Sequence, residues 1–478
     1  MSRLSPIDAS FLHLESARTH MNVGWSAFCS LPDNAERPTI EMLRERVAGR
    51  LRHVPRCRQR LQFHPLGLGE PHWVDDPAFA IEKHVVALGE PGEPLSAERF
   101  ARRRDALLSS PLDRDRPLWQ IALAPCLDDG RAAVLGRVHH AMADGAAALQ
   151  IAALGLDAPG ADDAGGAERW RPEPAPTPAA IAADPLLRGA EITARAVGDA
   201  ARAALRPRDS ARSVVRDARR VAAALAEDLL PRAPGSRLNH GLGARRTLIG
   251  HREALSDVRA AGAGTLNDAG LAIVAGALRA LALERGEPAH PLKALVPVDV
   301  RRPHERGALG NHVSLAAVWL PLHVRSPEAR LAHVRASTER FKRAERPAGV
   351  RALICGMGLL PSGLRGAMLR AASPGVFNLT VSSIPGPRTP MSMLGAQFDE
   401  VYPVVPVAEG QALSIGMLRY HRHLHFGLHA DPDALPDASL LPQLIAEEVR
   451  CLGACARDGA RARPRSAAMP VARTQPTS

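Results

Sequence analysis

Aromatic side chains are scarce in this chain, at 3% with two tyrosines and five tryptophans. Together with abundant Ala and Arg, that scarcity reflects coding bias and carries little mechanism. Cysteine is sparse and scattered, at Cys29, Cys57, Cys126, Cys355, Cys451 and Cys455. Only the last two are close, and their spacing suits one helix face better than a zinc knuckle. A disulfide scaffold is excluded, and reduced thiols in a cytosolic protein are expected. No unbroken apolar run of about 18 residues is present, so nothing reads as a membrane-spanning helix. The first residues, "MSRLSPIDASFLHLES", lack the charged-then-apolar layout of a secretion signal. No zinc finger, helix-turn-helix signature or RNP-type aromatic motif accompanies the charge, so nucleic acid is not an expected partner.

What is present is length and positive charge. A chain of 478 residues exceeds one ordinary core, so two domains are expected. The formal net charge is +11. It reads either as affinity for anionic partners such as lipid headgroups and phosphorylated cofactors, or as Arg-rich coding alone.

Residues 1–155 form a first domain. "TIEMLRERVAGRLRHV" predicts a helix capped by Thr39, with Leu43, Val47 and Leu51 on one face. "AAVLGRVHH" predicts a buried strand and "GAAALQIAALGL" a helix after it. Residues 156–244 hold a Pro/Gly/Asp-rich linker and Ala/Arg-rich helices interrupted near Pro207, which pack on a domain or lie on an anionic membrane. Residues 245–456 form a second domain. There "TLNDAGLAIVAGALRALALERG" is a helix opened near Asn267 or Asp268. "LKALVPVDVR", "NHVSLAAVWLPL" and "FNLTVSSIPGP" are strands. "SPEARLAHVRASTERFKRA" is a helix with Ser326 as cap and Pro327 at its first position. "ALSIGMLRYHRHLHFGLHADP" is a strand pair with alternating faces. Its histidines read as surface or strand residues, and no metal constellation is visible. The apolar stretch "CGMGLLPSGLRGAMLRAASPGVF" reads as core packing, with lipid contact as the alternative. Residues 457–478 are an expected disordered tail. Strands and helices alternate in both halves, which points to an α/β fold.

The chemistry concentrates in "RVHHAMADGAAAL", residues 137–149. A neutral imidazole has the pKa to take a hydroxyl proton near neutral pH. Side chains alternate along a strand, so only one of His139 and His140 can face a cleft, and the other is structural. Asp144 sits where a helix begins and is a candidate N-cap, or a brace for the loop through an arginine. Gly145 permits close backbone approach. Catalysis by one histidine and simple core packing of both remain open on spacing alone.

H-H-x-x-x-D-G resembles the signature of the CoA-dependent acyltransferase superfamily. Further along the chain stand "LSPIDASFLHLES", "MNVGW", "SPLDRDRPLWQ", "TLNDAGLAIVAGALRAL", "LKALVPVDVR", "LGNHVSLAAVWLPL", "SSIPGP", "LGAQFDEVYPV" and "LHFGLHADPDALPD". In that order they resemble the bacterial wax ester synthase/diacylglycerol acyltransferase family over nearly the whole chain except linker and tail.

The resemblance implies two chloramphenicol-acetyltransferase-like α/β domains with mixed sheets, joined by a crossover linker around a tunnel. It implies transfer of a fatty acyl group from acyl-CoA to diacylglycerol or a long-chain alcohol. Acyl-CoA is then a substrate and no cofactor is needed. His140 would be the general base, with no covalent acyl-enzyme; His139 would support it, and Asp144 and Gly145 would be structural. Pro117, Leu118 and Trp119 match an architectural motif of the family. Asn311 would bind substrate, as an oxyanion donor or a pocket wall, or else simply end a Gly-Asn turn. His312 and Ser383 depart from the family pattern. The implied setting is cytoplasmic, peripheral to the inner membrane face or to lipid droplets. Two alternatives remain: an acyltransferase of the same fold acting on another hydroxyl or an amine, and a non-catalytic peripheral lipid-binding protein.

Overall fold

The computed structural model describes the chain outside residues 1, 34, 65–69, 91, 158–169, most of 178–230, 261–263, 300–310, 312, 344–361, 373–374 and 463–478. The Ala/Arg-rich helices around Pro207, His312 and most of the expected tail therefore lie outside the described residues.

In chain order the first half contains β1 (Ser2–Arg3), α1 (Pro6–Leu14), β2 (Asn22–Ser30), α2 (Ile40–Arg50), β3 (Gln59–Gln62), β4 (His72–Asp75), α3 (Ile81–His84), β5 (Val85–Ala87), α4 (Ala97–Leu108), β6 (Trp119–Ala124), β7 (Ala132–His139) and α5 (Gly145–Ala153). The second half contains β8 (Thr247–Ala254), α6 (Leu255–Ala260), α7 (Leu266–Glu284), β9 (Leu292–Asp299), β10 (Val313–Leu320), α8 (Pro327–Arg343), α9 (Ser362–Ala372), β11 (Leu379–Pro385), β12 (Ser392–Met393), β13 (Ala396–Val404), β14 (Leu413–Tyr420), β15 (His423–Ala430) and α10 (Leu441–Ala462).

Local chemistry sets the helix ends. The Thr39 side chain accepts from the Met42 N–H at 3.2 Å and starts α2, which buries Leu43 and Val47, with Leu51 buried just beyond its end. Ser326 accepts from Ala329 N–H at 3.2 Å ahead of Pro327, as expected for α8. α7 begins earlier than its sequence suggests. Thr265 is the cap, and Asp268 is the third helical residue that closes the box back onto the Thr265 N–H at 3.1 Å. By length and composition α7 is apolar enough to cross a membrane, yet 67% of its most apolar window is buried in the second core. α10 runs to Ala462, past the boundary at 456 where disorder was expected.

Two six-stranded mixed sheets carry the architecture, ordered β12-β13-β2-β7-β6-β5 and β10-β9-β11-β14-β15-β8. β5–β6, β11–β14 and β11–β9 are parallel, and the other pairs in these sheets are antiparallel. The second half does not fold only on itself: β12 and β13 leave it and complete the first sheet beside β2.

Three glycines let β13 cross. Gly416, Gly427 and Gly250 stand in one row across β14, β15 and β8. A Cβ there would meet Pro403 Cγ at 2.8 Å, Pro403 O at 1.9 Å and the Tyr402 ring at 2.5 Å respectively. The row is flat because β13 lies on it. β14 and β15 form the expected strand pair with alternating faces, and its histidines, expected as surface or strand residues, include two that are buried strand residues. Ile415, Phe426 and Leu428 enter the core under α7, while His425 and His429 are buried on the opposite face against β13. The His425 ring accepts from Val401 N–H at 3.4 Å, and the His429 ring donates to Val405 O at 2.8 Å. Burial pushes their pKa values down to about 3 and about 4.

Candidate active site

β7 is buried at every residue and paired on both sides, with β2 up to His139 and with β6 up to Val138. The His139 N–H then donates to Leu118 O at 2.9 Å. Leu118 and Trp119 are themselves fixed: both are fully buried, and the Trp119 indole donates to Cys57 O at 2.8 Å. The Pro-Leu-Trp segment thus anchors the strand that delivers the histidines. Arg137 adds a brace, donating to Gln120, to the Leu107 carbonyl in the last turn of α4 and to the Ser110 carbonyl just after it.

The two histidines separate as their alternation requires. His139 points into the protein. Its Nδ1 accepts from Ala141 N–H at 3.0 Å, which leaves the proton on Nε2, 3.5 Å from Glu15. Burial raises the Glu15 carboxyl, but His139 and Arg114 outweigh it and bring the pKa to about 2.

His140 follows the last residue of the strand and faces a cavity. Its backbone is held from both sides: the N–H donates to Met21 O at 2.6 Å, and the carbonyl accepts from Asn311 Nδ2 at 2.6 Å. Its ring stacks on Phe11, with centroids 3.8 Å apart and planes 4° from parallel. Burial pushes its pKa from the ordinary 6.5 down to about 4; the Asp144 carboxylate and the Asn311 side chain oppose that, and His139 adds to it. The imidazole is therefore neutral at pH 7, with a carboxylate nearby to steady any proton it takes.

Asp144 is the cap of α5: its Oδ1 accepts from Ala147 N–H at 2.9 Å. Gly145 lines the cavity, but the close backbone approach expected of it is absent. An added Cβ would meet Ile384 at 3.5 Å, an ordinary contact.

Asn311 is close to the histidine but does not aim a donor at a reacting atom. Its Nδ2 is committed to the His140 carbonyl and to Asp8 Oδ1, each at 2.6 Å, and its N–H donates to the same Asp8 oxygen at 3.0 Å. Both Nδ2 partners are acceptors, so the amide orientation is fixed. The amide hydrogens are thus occupied as a latch on the histidine backbone rather than aimed at an oxyanion, and the Gly-Asn turn itself falls outside the described residues. Burial pushes the Asp8 carboxyl above its usual range, outweighing the hydrogen bonds from Asn311 and Ser5.

Asp8, Phe11 and Glu15 were not singled out by spacing, yet all three lie on α1 or at its C-cap and address the histidine pair. The signal was present in "SPIDASFLHLES": a Ser-Pro helix start, then Asp, Phe and Glu on a helical period.

The cavity encloses about 900 Å³, at the upper end for a small-molecule site. Its walls are mostly apolar and come from α1, β2, α5, β9, β10, β11 and β13, with α9 at one side. It opens where the second sheet parts. β9 and β11 pair only at Leu379 and Thr380, and the residues beyond, Pro297 and Asp299 on one strand and Ser382 to Pro385 on the other, line the space. Ser383 is exposed on that wall. Among the described residues no cluster of three or more His, Cys, Asp or Glu is arranged to hold a metal.

Two family models match the chain: the wax ester synthase/diacylglycerol acyltransferase catalytic domain over residues 4–269, and the C-terminal domain of the same family over 309–452. The chain belongs to the wax ester synthase/diacylglycerol acyltransferase family. It is an acyltransferase of that family. Curated relatives include two proteins of Mycobacterium tuberculosis named "Probable diacyglycerol O-acyltransferase". One is 30% identical, covering 96% of this chain and 97% of its own; the other is 32% identical, covering 90% and 93%. Among solved structures, the wax ester synthase/diacylglycerol acyltransferase of Marinobacter aquaeolei VT8 has a TM-score of 0.65 at 24% identity, covering 96% of this chain and 100% of that one. The starter condensation domain of rhizomide synthetase, in complex with C8-CoA and Leu-SNAC, has a TM-score of 0.57 at 14% identity, covering 96% and 94%. These likenesses carry the expected two-domain fold of chloramphenicol-acetyltransferase type.

Proposed function

We propose that this enzyme transfers a fatty acyl group from acyl-CoA to the hydroxyl of diacylglycerol, of a long-chain alcohol, or of both. The observation that carries the reading is a neutral histidine, pinned through its backbone, on the wall of a large apolar cavity. Both substrates bind together. The His140 imidazole takes the proton of the acceptor hydroxyl as that oxygen attacks the thioester carbonyl. The tetrahedral intermediate collapses, the C–S bond breaks, and the imidazolium returns the proton to the CoA thiolate. No acyl group is carried by the protein and no cofactor enters. Asp144 steadies the transient imidazolium, His139 with Glu15 fixes the strand end, and Asn311 with Asp8 holds the histidine carbonyl.

Both substrates are amphiphiles, so the enzyme works at the inner membrane face or at lipid droplets without spanning a bilayer. The free thiols of the five described cysteines suit a reducing cytoplasm.

The test is thiol release from palmitoyl-CoA with dipalmitoylglycerol, with hexadecanol and with no acceptor, the products being identified by thin-layer chromatography. Acceptor-dependent release with triacylglycerol or wax ester as product is expected. Release only with amines or unrelated alcohols would overturn the acceptor assignment. Lipid binding without turnover on any acceptor would favour the non-catalytic reading.

A further inference from the structure

α9 is built inside out. Among its described side chains, residues 363–369, the outward face is Gly363, Leu364, Ala367 and Met368, and the one charged residue, Arg365, points inward. Arg365 is 1% exposed, pairs with the buried Glu70 and donates to His13 Nε2 at 3.3 Å. Leu364 is 53% exposed and Met368 47%, one turn apart on the same face. An ordinary surface helix shows the reverse pattern. Other large hydrophobics are exposed among the described residues, at Phe63, Leu283, Trp319 and Leu440, but no two of those share an element.

The position of this face gives it a use. α9 packs against α1, the helix that carries Phe11 onto the His140 ring. Arg365, Met368 and Leu369 line the cavity that holds His140. Met368 lies one turn from the exposed Leu364, which is not part of the cavity wall, and itself lines the cavity, so the apolar face of α9 reaches the cavity's edge. We propose that the outer face of α9 docks on a lipid surface, and that the acyl acceptor passes from that surface past Met368 into the cavity. The occupant is a bilayer or monolayer holding neutral lipid: the face is apolar throughout, the cavity behind it is apolar, and the net charge of +11 favours an anionic leaflet. The inference rests on the acceptor being a lipid, as proposed above.

The experiment uses the full chain and vesicles of phosphatidylcholine and phosphatidylglycerol containing dioleoylglycerol. Flotation is compared for the wild type, the double variant Leu364→Glu with Ala367→Glu, and Leu283→Glu as an exposed control on α7. The double variant is expected to lose about tenfold in bound fraction and in turnover of vesicle-borne dioleoylglycerol, while thiol release with dissolved 1-hexanol stays within about twofold of wild type. Leu283→Glu is expected to float as wild type does. In a separate variant, Leu364→Trp, the added tryptophan emission is expected to shift to the blue when vesicles are supplied.

Flotation of the double variant at the wild-type level would overturn the proposal. So would equal loss in Leu283→Glu, failure of the wild type to float, or absence of the blue shift. Flotation does not depend on turnover. If no acceptor is acylated but α9 still governs binding, the docking face stands while the catalytic reading falls.

Discussion

Two strands deliver polar side chains to the cavity, and they are held very differently. β7 is paired on both sides to its end, buried at every residue, and caught again through the backbone of the residue that follows it. β11 has β14 along one edge but keeps β9 for only two residues, then runs with its other edge open into the cavity. The first arrangement fixes one atom in space, which proton transfer demands. The second leaves room, which two long substrates demand. The division of labour is rigidity at the reacting end and space at the binding end.

The rigid end is most sensitive at the latch. Asn311→Ala frees the His140 carbonyl and leaves the buried Asp8 carboxyl without its amide partner, so kcat is expected to fall by about a hundredfold with KM little changed. Steady-state kinetics on both substrates check this, and an effect confined to KM would show that the strand end does not need Asn311.

The open strand is stiffened from behind, and that support is sensitive to acid. β11 leans on β14, and β14 on β15, whose His425 and His429 are buried neutral against β13. Their folded pKa values, about 3 and about 4, lie below the unfolded value of about 6.5. Above pH 6.5 both states are neutral and the pair costs nothing. As pH falls below 6.5 the unfolded chain takes up protons that the native state refuses, so stability declines until the folded values are reached. From pH 7.5 to 5.5 each histidine is expected to remove about 1.4 kcal/mol, roughly 3 kcal/mol together. Urea unfolding at the two pH values measures it, and His425→Gln should recover its share.

A smaller effect is expected where α1 touches the histidine. Phe11→Ser opens one face of the His140 ring to water and moves its pKa up toward 6.5. The wild-type kcat/KM should hold its value down to about pH 5, whereas the variant should lose activity on its acid side between pH 7 and pH 5 and run about tenfold slower at pH 7.5. An unchanged pH profile would mean that the stacking does not set the base.

The smallest effect belongs to the open wall. Ser383→Asn alters an exposed lining side chain without touching the strand end, and should change the ratio of diacylglycerol to hexadecanol turnover by about threefold, through KM. A large fall in kcat would assign Ser383 a part in the chemistry.

Much of the rigid half was legible in the sequence. The continuous apolar run of β7, the His pair at its end and the Asp-Gly opening of α5 are local signals, and the structure places each of them as its local pattern implied. The latch was only half legible: Asn311 was a candidate from the resemblance, but its partner Asp8 is 303 residues away, and no local pattern joins them. The shared helix face of Asp8, Phe11 and Glu15 is visible in the sequence, but that this face meets the histidines, more than 120 residues on, is not. The crossing of β13 was written in three mid-strand glycines, Gly250, Gly416 and Gly427, but their alignment in one row appears only once three strands are in register. The alternation of β14 and β15 is legible in the sequence, but the burial of His425 and His429 is not, because β13 covers their face from another part of the chain.

The proposed acyl transfer depends on His140 as the base. The most direct test is acceptor-dependent thiol release from palmitoyl-CoA by wild type and by His140→Ala, with folding of the variant checked by circular dichroism. A fall in kcat of about two to four orders of magnitude, with the variant still folded and still binding acyl-CoA, is the predicted result. Thiol release by the folded variant at the wild-type rate would contradict it.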